Sequence, residues 1–250
     1  MAPTHTIGFV WPGPAVPGDA EEVSRFVPEG VEWHIAGTPR EYDADAPPAI
    51  TRERLFGMAE NPNIETTAAT LPALGVEAIG YGCTSASYVR GVGGDIDICE
   101  RITGMTSLPS TTTSTMAVES LRLLGVSRVT VLSPHVDELN ERLREFLEGH
   151  GLEVVHLRGL NKLRDIEDIP QEEIYELVVH LVDRPEADGI FISCTGMRTS
   201  DILSRLEEAT GKPVVSAMQA TIWGTLRLAG APAELPGIGS LFRLAVPALA

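Results

Sequence analysis

Cysteine, basic residues and long apolar runs are all scarce in this chain, and each shortage excludes something. Three cysteines in 250 residues rule out a disulfide framework as the organising principle. No CxxC pair, no HxxxH pair and no histidine close to any cysteine offers the ligand spacing of a zinc site. Lys and Arg number 19 against 35 Asp and Glu, a formal charge of −16. A nucleic-acid binder needs a basic face for phosphates, and an anionic membrane surface attracts cations, so neither partner is expected. No apolar run approaches the roughly 20 residues of a membrane span. The opening MAPTHTIGFVWPGP lacks a basic stretch followed by an apolar core, which predicts no secretory leader. Few thiols without a pairing pattern fit a reducing, cytoplasmic location. What remains is 43% hydrophobic residues with a mean hydropathy of +0.06, the composition of a globular protein of one large domain or two small ones.

Continuous apolar runs predict strands at Ile7–Trp11, Glu77–Gly82, Val129–Ser133, Glu153–Leu157, Gly189–Ser193 and Pro213–Ser216. They do not alternate, which indicates strands covered on both faces, as in a parallel sheet. Helical spacing predicts helices over Thr112–Leu124, Val136–Glu148, Gln171–Val182, Thr199–Ala209 and Ala217–Leu228, several of them ended by glycine. The alternation means βαβ units. Two stretches read as loops: the proline-rich Pro12–Pro17 and the acidic Arg40–Pro48.

An internal repeat organises these elements. Glu77–Ser85 reads EAIGYGCTS and Asp188–Gly196 reads DGIFISCTG. Upstream of each, an apolar strand runs into a proline, at Ile7–Pro12 and Val129–Pro134. The expected fold is α/β: two similar lobes, each a mainly parallel sheet flanked by helices, related by a pseudo-two-fold axis. Residues 1–125 form the first lobe and 126–250 the second, with helix 217–228 a candidate to pack back onto the first. Ligands of open α/β sheets sit at the carboxyl ends of strands, where both Cys-Thr turns fall, so Cys83 and Cys194 are expected to meet across one cleft.

A lone cysteine is most often a small buried hydrophobe, and that reading suits Cys99. Cys83 and Cys194 differ, because each opens into a turn whose free N–H groups depress a thiol pKa and bind carboxylate oxygen. A thiol on each face of a flat substrate can remove a proton, or attack carbon, on one side and deliver a proton on the other. Such chemistry calls for no cofactor and no metal if donors hold the developing enolate.

YGCTSAS followed by Tyr88, Arg90 and Gly91, together with FISCTGMR, the opening IGFVWP and the tail PGIGSLF, resembles the Asp/Glu racemase superfamily. The nearer resemblance is to its maleate cis–trans isomerase, arylmalonate decarboxylase and ectoine-utilization branch. It implies a cofactor-independent isomerase or racemase acting on a small carboxylate or dicarboxylate. On it, Cys83 matches the nucleophile or base and Cys194 the residue that handles the proton. Thr84, Ser85, Thr195 and Gly196 match positions that hold a substrate carboxylate, and Pro12 matches the proline of the first loop.

The chain also departs from these relatives. Its first loop, WPGPAVPG, has Ala15 near the place where the isomerases carry a carboxylate-gripping Asn. His135 stands where relatives present a Tyr hydroxyl; its alternative reading is a cap on the helix after Pro134. A later Asn of the isomerases falls near Asp165, with Asn161 close by. The decarboxylases have Gly rather than Cys at the first thiol position, so Cys83 argues against decarboxylation through Cys194 alone. That decarboxylase, acting on a substituted malonate, is the first alternative. A non-catalytic two-lobed carboxylate-binding protein is the second. Assembly into a homo-oligomer is left open by the pattern.

Overall fold

The computed structural model describes residues 5–40, 49–181 and 186–244, so of the acidic loop predicted at 40–48 only Arg40 lies within them. Among the described residues the first lobe runs β1 (His5–Trp11), α1 (Pro17–Phe26), β2 (Val31–Gly37), α2 (Arg52–Ala59), α3 (Asn63–Ala68), β3 (Ala78–Tyr81), α4 (Thr84–Tyr88), α5 (Gly94–Thr106), β4 (Ser110–Thr112) and α6 (Thr113–Leu123). The second runs β5 (Arg128–Ser133), α7 (Asp137–Gly149), β6 (Glu153–Gly159), α8 (Gln171–Leu181), β7 (Gly189–Ile192), α9 (Leu203–Thr210), β8 (Val214–Ser216) and α10 (Ala217–Leu228).

The strands form two four-stranded sheets in the orders β2-β1-β3-β4 and β6-β5-β7-β8, with every pairing parallel. The second order repeats the first, strand for strand, which is the structural form of the sequence repeat. In each sheet the two central strands are buried apart from the first residues of β1 and β5, because helices cover both faces.

Several elements differ from expectation. The proline-rich loop is shorter than predicted, because Pro17 is the first residue of α1, where its missing N–H costs nothing. β2 is an edge strand whose residues are mostly half-buried, and polar residues at Glu32 and His34 dilute its apolar signal. β4 is the polar triplet Ser110–Thr112, which fits a strand through the β-branched shape of threonine. Helix α9 starts at Leu203 rather than Thr199. Cys99 is half-buried beside Asp95 and Thr115. It is not packed into the core, as the buried-hydrophobe reading had it; Ile98 and Ile102 fill that role on α5.

The last helix of each repeat crosses the seam. α6 follows the first sheet, but Met116, Ala117, Val118 and Leu121 pack with Val129, Val131, Phe191 and Val215 of the second. α10 follows the second sheet and packs on β3, β4 and β1 of the first. Its Ile222, Trp223 and Leu226 are fully buried in the core shared by both lobes, each contributing about 1.5–3 kcal/mol by burial. A Cβ at Gly80 on β3 would lie 2.4 Å from the Thr225 hydroxyl, so only glycine lets α10 approach this closely. The two crossing helices touch through Thr113 Oγ1 and Thr221 Oγ1, 2.8 Å apart.

Candidate functional site

Each of the two repeated turns leaves its sheet at a carboxyl end. β3 ends at Tyr81, and Cys83 is the N-cap residue of α4 in extended conformation. β7 ends at Ile192, and Cys194 follows with φ +88°, a left-handed conformation that a non-glycine residue adopts only under constraint. The amides of Ser85 and Ala86 point toward the Cys83 thiol, and those of Gly196 and Met197 toward Cys194.

The two thiols sit in one electrostatic environment. Burial pushes Cys83 up to about 11 against those amides, the Arg54 charge and Tyr81. Burial pushes Cys194 up to about 12, and the charge of Cys83 adds to the shift. The Tyr88 hydroxyl is raised well above its ordinary value by burial, and both cysteines act on it. The folding therefore brings Cys83, Cys194 and Tyr88 together. Burial and the neighbouring Cys83 likewise hold the Tyr81 hydroxyl well above its ordinary value.

Of the other sequence-derived residues, Thr84, Ser85, His135, Thr195 and Gly196 fall around this pair, and Pro12, Asn161 and Asp165 do not. Ser85 Oγ and His135 Nε2 are 2.7 Å apart across the seam. The imidazole is 1% exposed, and burial alone lowers it to about 4, so it is neutral and its Nδ1 has no protein partner. It does not cap α7, whose N-cap is Val136; the main-chain oxygen of His135 instead accepts from Asn140 Nδ2 at 2.9 Å. Thr84 is buried with its hydroxyl unpartnered. Thr195 Oγ1 donates across the seam to the Gly82 oxygen at 3.3 Å. A Cβ at Gly196 would lie 3.7 Å from the Cys194 sulfur, so this residue borders the thiol. Pro12 lines a cavity of about 540 Å³ with Tyr81, Arg54, Met58 and Ile64. Asn161 and Asp165 stand on an exposed loop, both at positive φ, and are not among the groups around the thiols.

Sequence reasoning missed the support behind Cys83. Ser87 Oγ donates to the Cys83 oxygen at 2.8 Å, and Ser114 Oγ to the Thr84 oxygen at 3.0 Å. The Ser114 amide in turn donates to Ser87 Oγ at 3.3 Å. Ser114 belongs to the Thr112–Thr115 run at the start of α6, where Thr112 caps the helix by accepting from the Thr115 amide. The density of hydroxyls in YGCTSAS and STTTST was the available signal.

A two-lobed α/β protein with a cysteine after the third strand of each repeat has the architecture of the Asp/Glu racemase-like enzymes. The chain belongs to the arylmalonate decarboxylase family, whose sequence profile matches residues 57–242. It is 31% identical over 251 residues to the arylmalonate decarboxylase of Bordetella bronchiseptica, covering 97% of this chain and 98% of that one. It is 30% identical over 175 residues to a maleate isomerase of Nocardia farcinica, covering 67% and 69%. A solved structure of unliganded arylmalonate decarboxylase superimposes with a TM-score of 0.80 at 31% identity, over 96% of this chain and 99% of that one. No helix among the described residues is long and apolar enough to cross a membrane.

Proposed function

We propose that the protein is a racemase or isomerase of a small carboxylate that works by proton transfer between two thiols. The observation that carries this reading is the convergence of Cys83 and Cys194 on one seam, each beneath its own pair of main-chain amides. In one direction of the reaction Cys83 is the base and Cys194 the acid. As thiolate Cys83 takes the proton α to the carboxylate, and the electron pair left behind delocalises into the carboxylate as an enediolate. Thr84 and Ser85 from one lobe, with Thr195 and Gly196 from the other, hold its oxygens, and a neutral His135 adds a donor without adding charge. The Cys194 thiol then gives its proton to the opposite face of the carbon. Product leaves with inverted configuration, and the thiols return to their starting states by exchange with water.

The substrate is a small carboxylate with one less polar end than a dicarboxylate. The first loop, WPGPAVPG, offers no amide or charged side chain to a second carboxylate. We take the first lobe as residues 1–125, with helix 217–228 packed back onto it, and the second as the rest of 126–250, with the site between them. A reducing cytoplasmic location fits the free thiols.

The near-full-length likeness to a decarboxylase supports a second reading. A disubstituted malonate would lose carbon dioxide to give the same enediolate, and Cys194 alone would protonate it. One experiment separates the two. The protein is incubated in deuterated water with α-aryl carboxylates of one hand and, separately, with α-substituted malonates. α-Deuteration with loss of optical purity, abolished in both Cys83→Ala and Cys194→Ala, is expected. Malonate turnover that survives Cys83→Ala overturns the two-thiol reading in favour of decarboxylation. Tight binding without turnover of either substrate class points to the non-catalytic protein.

A further inference from the structure

Outside the groups assigned above, one buried charge has partners that all lie just beyond Cys194. Glu22 sits on α1 and is 3% exposed. Its Oε1 accepts from the Thr199 amide at 2.6 Å and the Ser200 amide at 3.0 Å, and its Oε2 accepts from the Ser200 hydroxyl at 2.7 Å. No donor comes from α1 itself; the carboxylate serves a segment nearly 180 positions away in the chain. Charge-assisted bonds to main-chain amides are among the strongest a side chain makes. A buried carboxylate with three donors is therefore a fixed point rather than a solvated surface group.

The segment it grips is the exit of the Cys194 turn. The Met197 amide donates to the Cys194 oxygen at 3.2 Å, closing the turn, and Arg198 follows. A Cβ at Gly18 on α1 would lie 1.9 Å from the Arg198 guanidinium, so the Arg198 side chain lies against the α1 backbone. Asp19, also on α1, is near enough to feel the Arg198 charge. Thr199 Oγ1 continues the chain of contacts to Ser216 Oγ, 2.8 Å away, and Ser216 caps α10, which packs on the first sheet. α1 begins directly after the loop of Pro12. A continuous series of contacts thus joins the first-lobe loop to the second-lobe thiol.

We infer that Glu22 is a positioning residue that holds the Cys194 turn in its left-handed conformation and sets its place against the first lobe. Its hydrogen bonds go to Thr199 and Ser200 rather than to a thiol, and it acts through them. This assignment bears on the proposed two-thiol reaction, since a displacement of about 1 Å between reacting groups costs on the order of 100-fold in rate.

The test compares Glu22→Ala, Glu22→Gln and Ser200→Ala in the full chain, with folding checked by circular dichroism. Alkylation by iodoacetamide at pH 8.5 is followed separately at Cys83 and Cys194 by peptide mass spectrometry. Glu22→Ala is expected to raise the rate at Cys194 on the order of tenfold by local opening, with Cys83 little changed. Glu22→Gln, whose amide oxygen still accepts both main-chain bonds, is expected to restore the wild-type rate. In the α-deuteration assay Glu22→Ala should lower kcat on the order of 100-fold with KM nearly constant, and Glu22→Gln should recover most of it. Equal changes at both cysteines, or Glu22→Gln as defective as Glu22→Ala, would overturn the assignment. If Glu22→Ala does not fold, Ser200→Ala decides: a smaller increase confined to Cys194 supports the role, and no change at Cys194 refutes it. Alkylation needs no substrate, so an enzyme without turnover would sink the proposed reaction while leaving the role of Glu22 measurable.

Discussion

His135 and Ser85 meet 2.7 Å apart across the seam of the molecule, a hydroxyl of one lobe against the imidazole of the other. The ring is neutral because burial holds it at about 4, below the ordinary value of 6.5. The unfolded chain therefore binds a proton between those values that the folded chain refuses. Stability from this group is complete above pH 6.5 and is lost as the pH falls toward 4, by on the order of 3 kcal/mol. Urea unfolding between pH 4 and 7 should show this slope in the native protein and a shallower one in His135→Gln. Equal slopes would show that the imidazole does not titrate this way.

Removing the other partner has a different cost. Ser85→Ala leaves the His135 Nε2 buried without a partner, beside an Nδ1 that already has none. The expected destabilisation is about 1–3 kcal/mol, read as a lower urea midpoint at unchanged m-value. A filled cavity and a wild-type midpoint would contradict it.

The thiols act at the opposite end of the pH scale. Burial raises Cys83 to about 11 and Cys194 to about 12 from an ordinary 9. Above pH 9 the unfolded chain sheds protons that the folded one keeps, so stability should decline between pH 9 and 12. Alkylation of the folded protein should speed up with pH throughout this range at both cysteines. A plateau of thiol reactivity below pH 8 would contradict both shifts.

Cys194 is held at φ +88°, where glycine is at ease and alanine is not. Cys194→Gly should therefore exceed Cys194→Ala in unfolding free energy by about 1 kcal/mol, the relieved strain being partly offset by the greater freedom of glycine in the unfolded chain. Both variants should be inactive. An alanine variant as stable as the glycine one would mean the turn carries no strain.

Gly37 ends β2 beneath the first loop. A Cβ there would come within 2.5 Å of the Gly13 oxygen and 2.9 Å of the Pro14 Cα, backbone atoms that cannot rotate away. Gly37→Ala should push the loop of Pro12 outward and cost about 1–3 kcal/mol, with a higher KM for a substrate of the proposed reaction. Unchanged KM would detach this loop from binding.

Where burial is one-sided or total, the sequence announces the structure. β1, β3, β5 and β7 are continuous apolar runs because both faces are covered, and α10 falls at its expected bounds because Ser216 and Leu228 bracket an apolar stretch. The repeat of acid, apolar run, Cys and Thr located both turns. β2, α1 and β4 were illegible for a common reason: half-exposed or hydroxyl-rich segments are defined by partners, not by their own hydropathy. The same limit hid Glu22, since nothing in the local pattern PGDAEE distinguishes a buried carboxylate from a solvated one. His135 was legible as a candidate, but its partner Ser85 lies 50 positions earlier, and only the folded chain joins them.

The reciprocal crossing of α6 and α10 makes neither half of the polypeptide self-sufficient. A fragment cut after Gly125 would keep its first four strands and lose the helix that roofs them, while carrying a spare helix shaped for a sheet it no longer has. Two such fragments could regain complete cores only by trading those helices. A repeat of this kind is thus viable as an intertwined pair or as a fused chain, and the tie between the halves is topological as much as adhesive.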